Sequence, residues 1–257
     1  LALLEDEERG GPLALSEYLA RFPEIAGFVR DEYAVMLERN ERDAAFRARY
    51  ELQQKIGQGG MGEVTLAVDR VLGRKVALKS VRSSACDARM IERLRREART
   101  LSRLEHPSIC RILDVIENDG AVTLVLPFHE GIPLSDWIDR ARARHPRADF
   151  LGLDVGDDGR DSRRSLAAIL TFFVHVVDAV HAAHVSGVIH RDLKPANLLV
   201  MPNGLPMVLD FGLALDLHAV NGRLTIAGES IGTTYYMPPE QIEGRVATIH
   251  GDIYALG

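Results

Sequence analysis

The sequence has few cysteines and only a small excess of charge of one sign. Among its 257 residues only Cys86 and Cys110 are cysteines, too few for a disulfide framework or a four-ligand zinc site. We therefore expect two buried thiols in a reducing cytosol. The 37 acidic residues modestly outnumber the 31 basic ones, which argues against binding to nucleic acid or acidic lipid through bulk charge. Apolar residues make up 46% of the chain, as in ordinary globular domains.

The sequence also lacks an uninterrupted apolar run of the roughly 20 residues that a membrane span needs. Polar side chains interrupt its most apolar stretch, residues 166–185, at His175, Asp178, His181 and His184. We expect this stretch to be a buried helix of a soluble domain. The first residue is Leu1 rather than methionine, and the last residues resemble the start of a helix, so we expect a fragment cut at both ends.

Residues 1–49 contain no glycine-rich loop and no catalytic pattern, and they predict an N-terminal helical extension. After Pro23, apolar side chains recur at helical spacing, at Ile25, Phe28, Val29, Tyr33, Met36 and Leu37. Such a stripe must pack against another surface. We favour a helix that caps the following domain, and a helix that docks a partner protein is the alternative.

From Tyr50 the pattern changes to short β-type runs separated by turn residues, which predicts an antiparallel sheet. The runs cover residues 52–57, 63–68, 75–81, 109–116 and 121–126. One helix is predicted between them, over residues 87–104, and two more follow, over 136–144 and 165–185. A solvated insertion loop is predicted over residues 143–164. This order of elements predicts an α+β fold with a sheet-rich half before a helix-rich half.

Three glycines, Gly57, Gly59 and Gly62, follow the spacing G-x-G-x-x-G between two predicted strands. A dinucleotide-binding fold needs a helix after this motif. A hairpin tip with exposed backbone N–H groups can instead cover the phosphates of a nucleotide. The motif alone is weak, and an ordinary glycine turn is the alternative.

Lys79 ends the apolar run V-A-L-K on a following predicted strand. The chain has 27 arginines but only 4 lysines, so a lysine inside an apolar strand is unlike a casual surface charge. A buried ammonium must be paired. Glu97, on the next predicted helix, is a candidate partner that leaves Lys79 directed at α- and β-phosphate oxygens. A strand lysine whose charged end reaches solvent is the alternative.

Two further segments carry polar residues next to predicted apolar elements: H-R-D-L-K-P-A-N at residues 190–197 and D-F-G at residues 210–212. With the glycine motif, Lys79 and Glu97, they resemble the eukaryotic-like, bacterial-type serine/threonine protein kinases. The resemblance covers about residues 50–257 and implies a protein-kinase-like two-lobe fold with a truncated C-lobe. The implied parts are an N-lobe over about 50–128, a hinge over about 127–131 and a partial C-lobe over 132–257.

The resemblance implies ATP and Mg²⁺ as cofactors, because phosphoryl transfer mainly requires that negative charge be positioned and neutralised. Asp192 is implied to accept the proton of the substrate hydroxyl, and Lys194 to stabilise the γ-phosphate. The implied metal ligands are Asn197 and Asp210, and Lys79, paired with Glu97, is implied to bind the α- and β-phosphates.

A nucleotide pocket follows from the same resemblance, with Leu126 as the gatekeeper before the hinge. Pro127 has no backbone N–H, so the main chain of His129 is expected to donate to adenine. The implied nucleotide contacts are Ile56, Gly57, Gln58, Gly59, Gly60, Met61, Gly62, Val64, Ala77, Lys79, His129 and Leu199.

The segment T-T-Y-Y-M-P-P-E-Q, residues 233–241, resembles the end of an activation loop, with P-P-E in place of the usual A-P-E. Thr233 matches a threonine that contacts the catalytic aspartate, and Asp252 matches an aspartate that braces the catalytic loop. Thr225 and Ser230 are candidate phosphorylation sites, because a phosphate there can bind the guanidinium of Arg191. Pairing of Arg191 with a local carboxylate is the alternative.

The predicted function is ATP-dependent phosphorylation of serine or threonine on protein substrates by a cytoplasmic signalling kinase, with a membrane tether possible only elsewhere in the full-length protein. The alternative is a kinase-fold scaffold, either a pseudokinase or an inactive truncated fragment.

The pattern G-x-S-x-G at residues 228–232 lacks the flanking strand and helix of a hydrolase. His181 and His184 have no third metal ligand at matching spacing. The sequence does not indicate an oligomeric state.

Overall fold

A computed structural model describes residues 13–59, 62–82, 88–118, 121–144, 160–211 and 233–257. Some sequence-based predictions lie outside these residues, namely those for Gly60, Met61, Cys86, Thr225 and Ser230, the G-x-S-x-G pattern and most of the insertion loop. Within the described ranges an antiparallel sheet precedes a mainly helical part, so the predicted α+β class is confirmed.

The described chain begins with two helices that precede the sheet. They are α1 (Leu15–Arg21) and α2 (Ala26–Arg49), joined by a 3-10 turn over Pro23–Ile25. Val29 and Met36 of the predicted apolar stripe are buried, whereas Phe28 is 63% exposed and Leu37 is also exposed. The stripe therefore divides between a buried face and a solvent-facing one, which hydrophobic periodicity alone does not distinguish.

Five antiparallel strands form the main sheet, in the order β1-β2-β3-β5-β4. They are β1 (Tyr50–Gly59), β2 (Gly62–Asp69), β3 (Arg74–Arg82), β4 (Asp114–Asn118) and β5 (Ala121–Pro127), with helix α3 (Ala88–Ser102) between β3 and β4. We refer to this sheet and α3 as the N-lobe.

The predicted strand over residues 109–116 is wrong in its first half, because β4 begins only at Asp114. Ile109 instead forms an isolated parallel bridge with Val208, and the N–H of Cys110 donates to the Val208 carbonyl at 2.9 Å. These apolar residues join the N-lobe to the second lobe rather than extending the main sheet.

Strand register divides the residues of the sheet between two faces. Val64 lies opposite Lys79, and Ala77 lies opposite Leu126. Residues that face each other across strands, or that lie two apart on one strand, share a face. These four side chains therefore lie on one face, and the contact of Lys79 with Asp210 shows that this inner face is turned to the second lobe.

The other face of the sheet, here called the outer face, is covered by the end of α2. Phe46 packs there among buried residues of the sheet. The cluster consists of Phe46, Tyr50, Ala67, Val76, Leu78 and Val125. This packing supports the interpretation of α2 as a helix that caps the N-lobe.

Arg49, the last residue of α2, adds a charged contact to this junction. Its Nη2 lies 3.2 Å from Asp69 Oδ2, and its Nη1 lies 3.6 Å from Asp114 Oδ2. Burial opposes ionisation of Asp69, but the Arg49 hydrogen bond and the N–H groups of Leu72 and Val71 outweigh it and lower the pKa of this carboxyl. The carboxylate of Asp69 thus holds the helix end and the turn after β2 together.

The second lobe, here called the C-lobe, combines helices with a small antiparallel sheet in the order β6-β7-β8. Its elements are β6 (Ile132–Pro133), α4 (Leu134–Arg144), α5 (Arg160–Val185), β7 (Leu198–Val200), β8 (Pro206–Val208), α6 (Pro239–Ile242) and α7 (Ile249–Leu256). Helix α5 begins five residues earlier than the sequence predicts, inside the expected insertion loop.

One face of α5 forms the centre of the C-lobe core. The buried residues of this face are Phe172, Val176, Ala179, Val180 and Ala183. Their opposite face carries exposed apolar side chains, among them Leu170 and Val174, so the helix is only half buried. By length and composition residues 166–185 pass the test for a membrane span, a property that core helices share and that is weak evidence.

Candidate active site

The loop between α5 and β7 contains the H-R-D motif and has an unusual backbone at one position. Arg191 has a φ angle of 70°, and Asp210 of the D-F-G motif has a φ of 60°. Non-glycine residues adopt positive φ rarely, and they persist there only when neighbouring groups hold them. Both strained positions are next to or within the polar cluster described below.

Asp252 of α7 holds this loop by its backbone. Its carboxylate is almost completely buried and accepts the N–H groups of His190 and Arg191, each at 2.8 Å. His184 Nε2 lies 2.7 Å from the same carboxylate. The geometry is the one that the sequence resemblance implied for Asp252, and it gives His184 a hydrogen-bonding role in place of the rejected metal site. Among the described residues no group of three or more His, Cys, Asp or Glu side chains could hold a metal ion.

The ring of His190 is buried between the two motifs. Its Nε2 lies 2.8 Å from the Leu209 carbonyl, so this nitrogen carries the proton, while Nδ1 accepts the N–H of Asp192 at 3.3 Å. Burial lowers the pKa of His190, which keeps the ring neutral. The ring centroid is 4.7 Å from that of Phe211. The sequence motifs contain both His190 and Phe211, but they do not predict the contact between the two rings.

Asp192 lies at the centre of a polar cluster. Lys194 Nζ is 2.8 Å from Asp192 Oδ2, and Asn197 Nδ2 donates to Asp192 Oδ2 at 3.1 Å and to its carbonyl at 2.7 Å. Because Asn197 uses its amide N–H₂ in this way, its Oδ1 has no protein partner in the part of the chain that the structure describes. Amide and carboxylate oxygens are ligands that Mg²⁺ prefers, so Asn197 and Asp210 fit the donor set of that ion.

Lys79 lies in the cleft between the lobes with 7% of its surface exposed, and its Nζ is 2.8 Å from Asp210 Oδ2. The expected pairing of Lys79 with Glu97 differs from the structure, in which Glu97 Oε1 lies 3.1 Å from Arg191 Nη1. A buried ammonium needs one carboxylate partner, and Asp210 supplies it. The carboxylate of Glu97 is therefore available to the guanidinium of Arg191.

The apolar residues that are expected to contact the base come from both lobes. Val64 and Ala77 lie on the inner face of the sheet, and Leu199 packs with Cys110 in the C-lobe hairpin. Burial raises the pKa of the Cys110 thiol to about 12, which keeps it protonated. The expected gatekeeper, Leu126, contacts the same cluster as Leu199.

The glycine motif forms the tip of the hairpin between β1 and β2. Gly57 lies opposite Val64, Gln58 opposite Glu63 and Gly59 opposite Gly62. Gly62 has a φ of 145°, a conformation that favours glycine. The strand-to-strand context expected for a phosphate-covering loop is therefore present. Ile56 precedes this tip on β1 and is exposed.

At the hinge, His129 follows β5 and its carbonyl accepts the N–H of Gly131 at 2.9 Å. Its ring Nε2 is buried without a hydrogen-bond partner among the described residues. Burial also lowers the pKa of His129, so the ring is neutral.

Thr233, the predicted contact of Asp192, begins a 3-10 helix over Thr233–Tyr236.

Gln241 is a contact that sequence reasoning missed. Its Nε2 donates to the Arg191 carbonyl at 3.0 Å, so the segment after P-P-E contacts the loop of the H-R-D motif directly. The P-P-E-Q pattern was visible in the sequence, but it carried no indication of which backbone group the glutamine meets.

A sheet lobe and a helical lobe that bring the H-R-D loop, the D-F-G segment and a strand lysine into one cleft define the protein kinase fold. A model of the protein kinase domain matches residues 50–257, and the chain belongs to this family. The sequence-based resemblance to bacterial serine/threonine kinases is confirmed by the relatives described next.

The chain is 36% identical over 210 residues to the serine/threonine-protein kinase PrkC of Bacillus subtilis (strain 168), covering 81% of this chain and 29% of that protein. It is also 36% identical over 215 residues to the serine/threonine-protein kinase PknA of Mycobacterium tuberculosis (strain ATCC 25618 / H37Rv), covering 81% of this chain and 45% of that protein. The chain thus spans less than half the length of these relatives.

A solved structure of the PknI kinase domain of Mycobacterium tuberculosis, C20A mutant, is similar in fold. Its TM-score is 0.58 at 27% sequence identity, and the match covers 81% of this chain and 70% of that one. The predicted two-lobe protein-kinase-like fold is therefore confirmed.

Proposed function

We propose that this protein transfers the γ-phosphate of ATP to serine or threonine hydroxyls of protein substrates. The observation that carries the proposal is the convergence of Asp192, Lys194 and Asn197 on the C-lobe with the Lys79–Asp210 ion pair in the cleft. Such a cluster offers one proton acceptor, two cations and two metal-ligand side chains, which phosphoryl transfer requires.

The nucleotide site that we propose lies between the lobes. The base is held between Val64 and Ala77 above and Leu199 below, and the main chain of His129 donates to it. The glycine tip of the β1–β2 hairpin covers the phosphates, and Lys79 binds the α- and β-phosphates. When bound, Mg²⁺ on Asn197 and Asp210 neutralises phosphate charge. This assignment retains all of the nucleotide contacts expected from the sequence.

In the proposed reaction the substrate oxygen forms a bond to the γ-phosphorus while the bond to the ADP oxygen breaks. A carboxylate oxygen of Asp192 takes the hydroxyl proton. Lys194 lies 2.8 Å from Asp192 Oδ2 and balances charge beside the transferred group. Asn197 hydrogen-bonds the same carboxylate and so limits its rotation.

A hydroxyl of serine or threonine is the proposed acceptor, because Lys194 follows Asp192 by two residues and Thr233 begins the helix before P-P-E. The named relatives are serine/threonine kinases, which supports the same substrate class. We also propose that residues 1–49 form an extension and residues 50–257 the kinase domain, acting in the cytoplasm in signalling. A membrane tether, if the full-length protein has one, belongs to other parts of it.

A scaffold that binds nucleotide without transferring phosphate is the second candidate function. The observation that favours it is the contact of Glu97 with Arg191 instead of Lys79. If the protein is a kinase, the Glu97–Arg191 contact belongs to a resting arrangement, and Glu97 changes partner when nucleotide and substrate bind. If the protein is a scaffold, the contact persists.

The test is transfer of labelled γ-phosphate from Mg-ATP to casein, followed by identification of the phosphorylated amino acids. We expect label on serine or threonine, and loss of the label when Mg²⁺ is chelated. Asp31→Asn, on the exposed side of α2, is the matched control and should keep the wild-type rate. Nucleotide binding with no transfer by wild type would support the scaffold instead.

A further inference from the structure

The peptide group between Arg191 and Asp192 is held from both sides. Its carbonyl, on Arg191, accepts a hydrogen bond from Gln241 Nε2 at 3.0 Å. Its N–H, on Asp192, donates to His190 Nδ1 at 3.3 Å. Because a peptide group is planar, two partners on opposite edges fix its rotation. The side chain of Asp192 is attached directly to this plane.

The need for such support comes from the residue before it. Arg191 has a φ of 70°, which a non-glycine residue adopts only when its surroundings hold it. Asp252 Oδ1 accepts the Arg191 N–H at 2.8 Å and fixes one end of the residue. Gln241 is the side chain that fixes its other end.

Gln241 is held by backbone hydrogen bonds of its own segment, which lies close to α7. The N–H of Gln241 donates to the Pro238 carbonyl at 3.0 Å, and the N–H of Arg245 donates to the Glu240 carbonyl at 2.7 Å. At Gly251 the two elements approach closely, since a Cβ there would lie 3.1 Å from Pro238 Cγ and 3.3 Å from Glu240 Oε1. Gly251 immediately precedes Asp252, so the two groups that hold Arg191 come from elements packed against each other.

We propose that Gln241 is a positioning residue for phosphoryl transfer, which fixes the Arg191–Asp192 peptide group and thereby orients the carboxylate of Asp192. The inference rests on the proposed function. It also links the segment next to the proposed substrate site with the proton acceptor, because Gln241 directly follows P-P-E. Gln241 touches no reacting atom, so its effect is on orientation and not on nucleotide binding.

The first test compares Gln241→Met, which keeps the length of the side chain and removes the donor, with Gln53→Met on the exposed part of β1 as control. We expect kcat to fall about tenfold in the Gln241 variant, with KM for ATP changed less than twofold and the thermal midpoint nearly unchanged. Gln241→Glu places a negatively charged carboxylate next to the Arg191 carbonyl oxygen, and the repulsion between them should lower kcat further. A kcat within twofold of wild type in both variants would overturn the proposal.

The second test does not depend on catalysis. Amide hydrogen exchange of residues 188–194 should accelerate in Gln241→Met, while exchange in α5 and in the Gln53→Met control stays as in wild type. Unchanged exchange in residues 188–194 would overturn the positioning role. If wild-type protein transfers no phosphate, the proposed function fails, whereas this exchange comparison still decides whether Gln241 holds the loop.

Discussion

The catalytic loop and the junction between α2 and the sheet are built from opposite kinds of contact. The loop concentrates charged side chains and a residue at positive φ, and the buried carboxylate of Asp252 accepts its backbone N–H groups. The junction is an apolar cluster around Phe46 with the ion pair of Arg49 and Asp69 at its edge. Backbone strain is typical of functional sites, whereas buried apolar area stabilises the fold. Chemistry and stability therefore depend on different regions of this protein.

The two regions also differ in their position relative to the family match. The catalytic loop lies inside the match to the protein kinase family, whereas α2 lies just before its first residue at 50. The helix end nevertheless packs on the sheet that carries Lys79. We therefore expect substitutions at the loop to change the rate of transfer without unfolding, and substitutions at the junction to do the reverse.

The largest effect is expected for Lys79→Met, which removes the ammonium of the cleft. Transfer should slow about 100-fold or more, because the charge that we propose to hold the phosphates is lost. Lys75→Met, at an exposed position of the same strand, is the control and should keep near wild-type activity. Equal rates for the two variants in a steady-state phosphotransfer assay would remove the phosphate role of Lys79.

Phe46→Ala should have the largest effect on stability. Truncation of a buried phenylalanine leaves a cavity and costs about 3 kcal/mol of unfolding free energy. Phe28→Ala, on the same helix but 63% exposed, should cost about 0.5 kcal/mol or less. Denaturant unfolding measures both values. Similar losses for the two variants would show that the outer-face cluster does not anchor α2.

A smaller loss is expected for Asp69→Asn, which weakens the charged contact at the edge of the junction. The amide keeps the shape of the carboxyl but not its charge-assisted bond to Arg49, at a cost of about 1 to 2 kcal/mol. Asp114→Asn, whose carboxylate is 3.6 Å from Arg49 and about half-exposed, is the control at about 0.5 kcal/mol or less. Chemical denaturation at pH 7 distinguishes them, and a reversed order would refute the role of Asp69.

The smallest effect is a pH dependence from His190. Burial lowers the pKa of this ring in the folded protein, whereas the unfolded value is about 6.5. Below pH about 6.5 the unfolded chain therefore binds a proton that the folded one does not, and stability falls with falling pH by up to about 1.4 kcal/mol per pH unit. The nearby Asp252, Asp192 and Asp210 favour the proton, which reduces the lowering of the pKa and narrows the pH range over which stability falls.

Unfolding free energies between pH 7.5 and 5.5 test this expectation. His190→Asn should flatten the dependence, and His250→Asn, at an exposed position of α7, should leave it as in wild type. A stability that stays constant or rises as the pH falls in the wild-type protein would contradict a neutral buried His190.

The grouping of the polar residues of the site could be predicted, because the proposed reaction, phosphoryl transfer, restricts which side chains its motifs contain. Asp192, Lys194 and Asn197 are brought together as their motif indicates, and Asp210 meets Lys79. The pairing of Glu97 could not be predicted, because Lys79 and Arg191 are both candidate cations in the sequence and the sequence does not rank them. Motif spacing predicts which residue types are present. Which of two neighbouring side chains forms an ion pair depends on three-dimensional packing.

Packing also explains the misses in the fold. Residues 109–113 have a strand-like composition, yet the backbone of Ile109 and Cys110 bonds to β8, and only at Leu113 does the backbone bond to β5, a choice made by tertiary contacts. In α2 the periodicity predicted a helix, but the exposed Phe28 shows that it did not identify the buried face. Gln241 was invisible for a related reason, since its partner is a backbone carbonyl that no side-chain pattern records.

The most direct test of the account is the rate of phosphate transfer by Asp192→Asn, measured with its unfolding free energy and its affinity for Mg-ATP. We predict that kcat falls by about 100-fold or more, because the proton acceptor is lost. Stability and nucleotide affinity should stay near wild type, since the junction and the Lys79–Asp210 pair are untouched. Wild-type turnover in this variant would contradict the assignment of Asp192 and, with it, the separation of chemistry from stability.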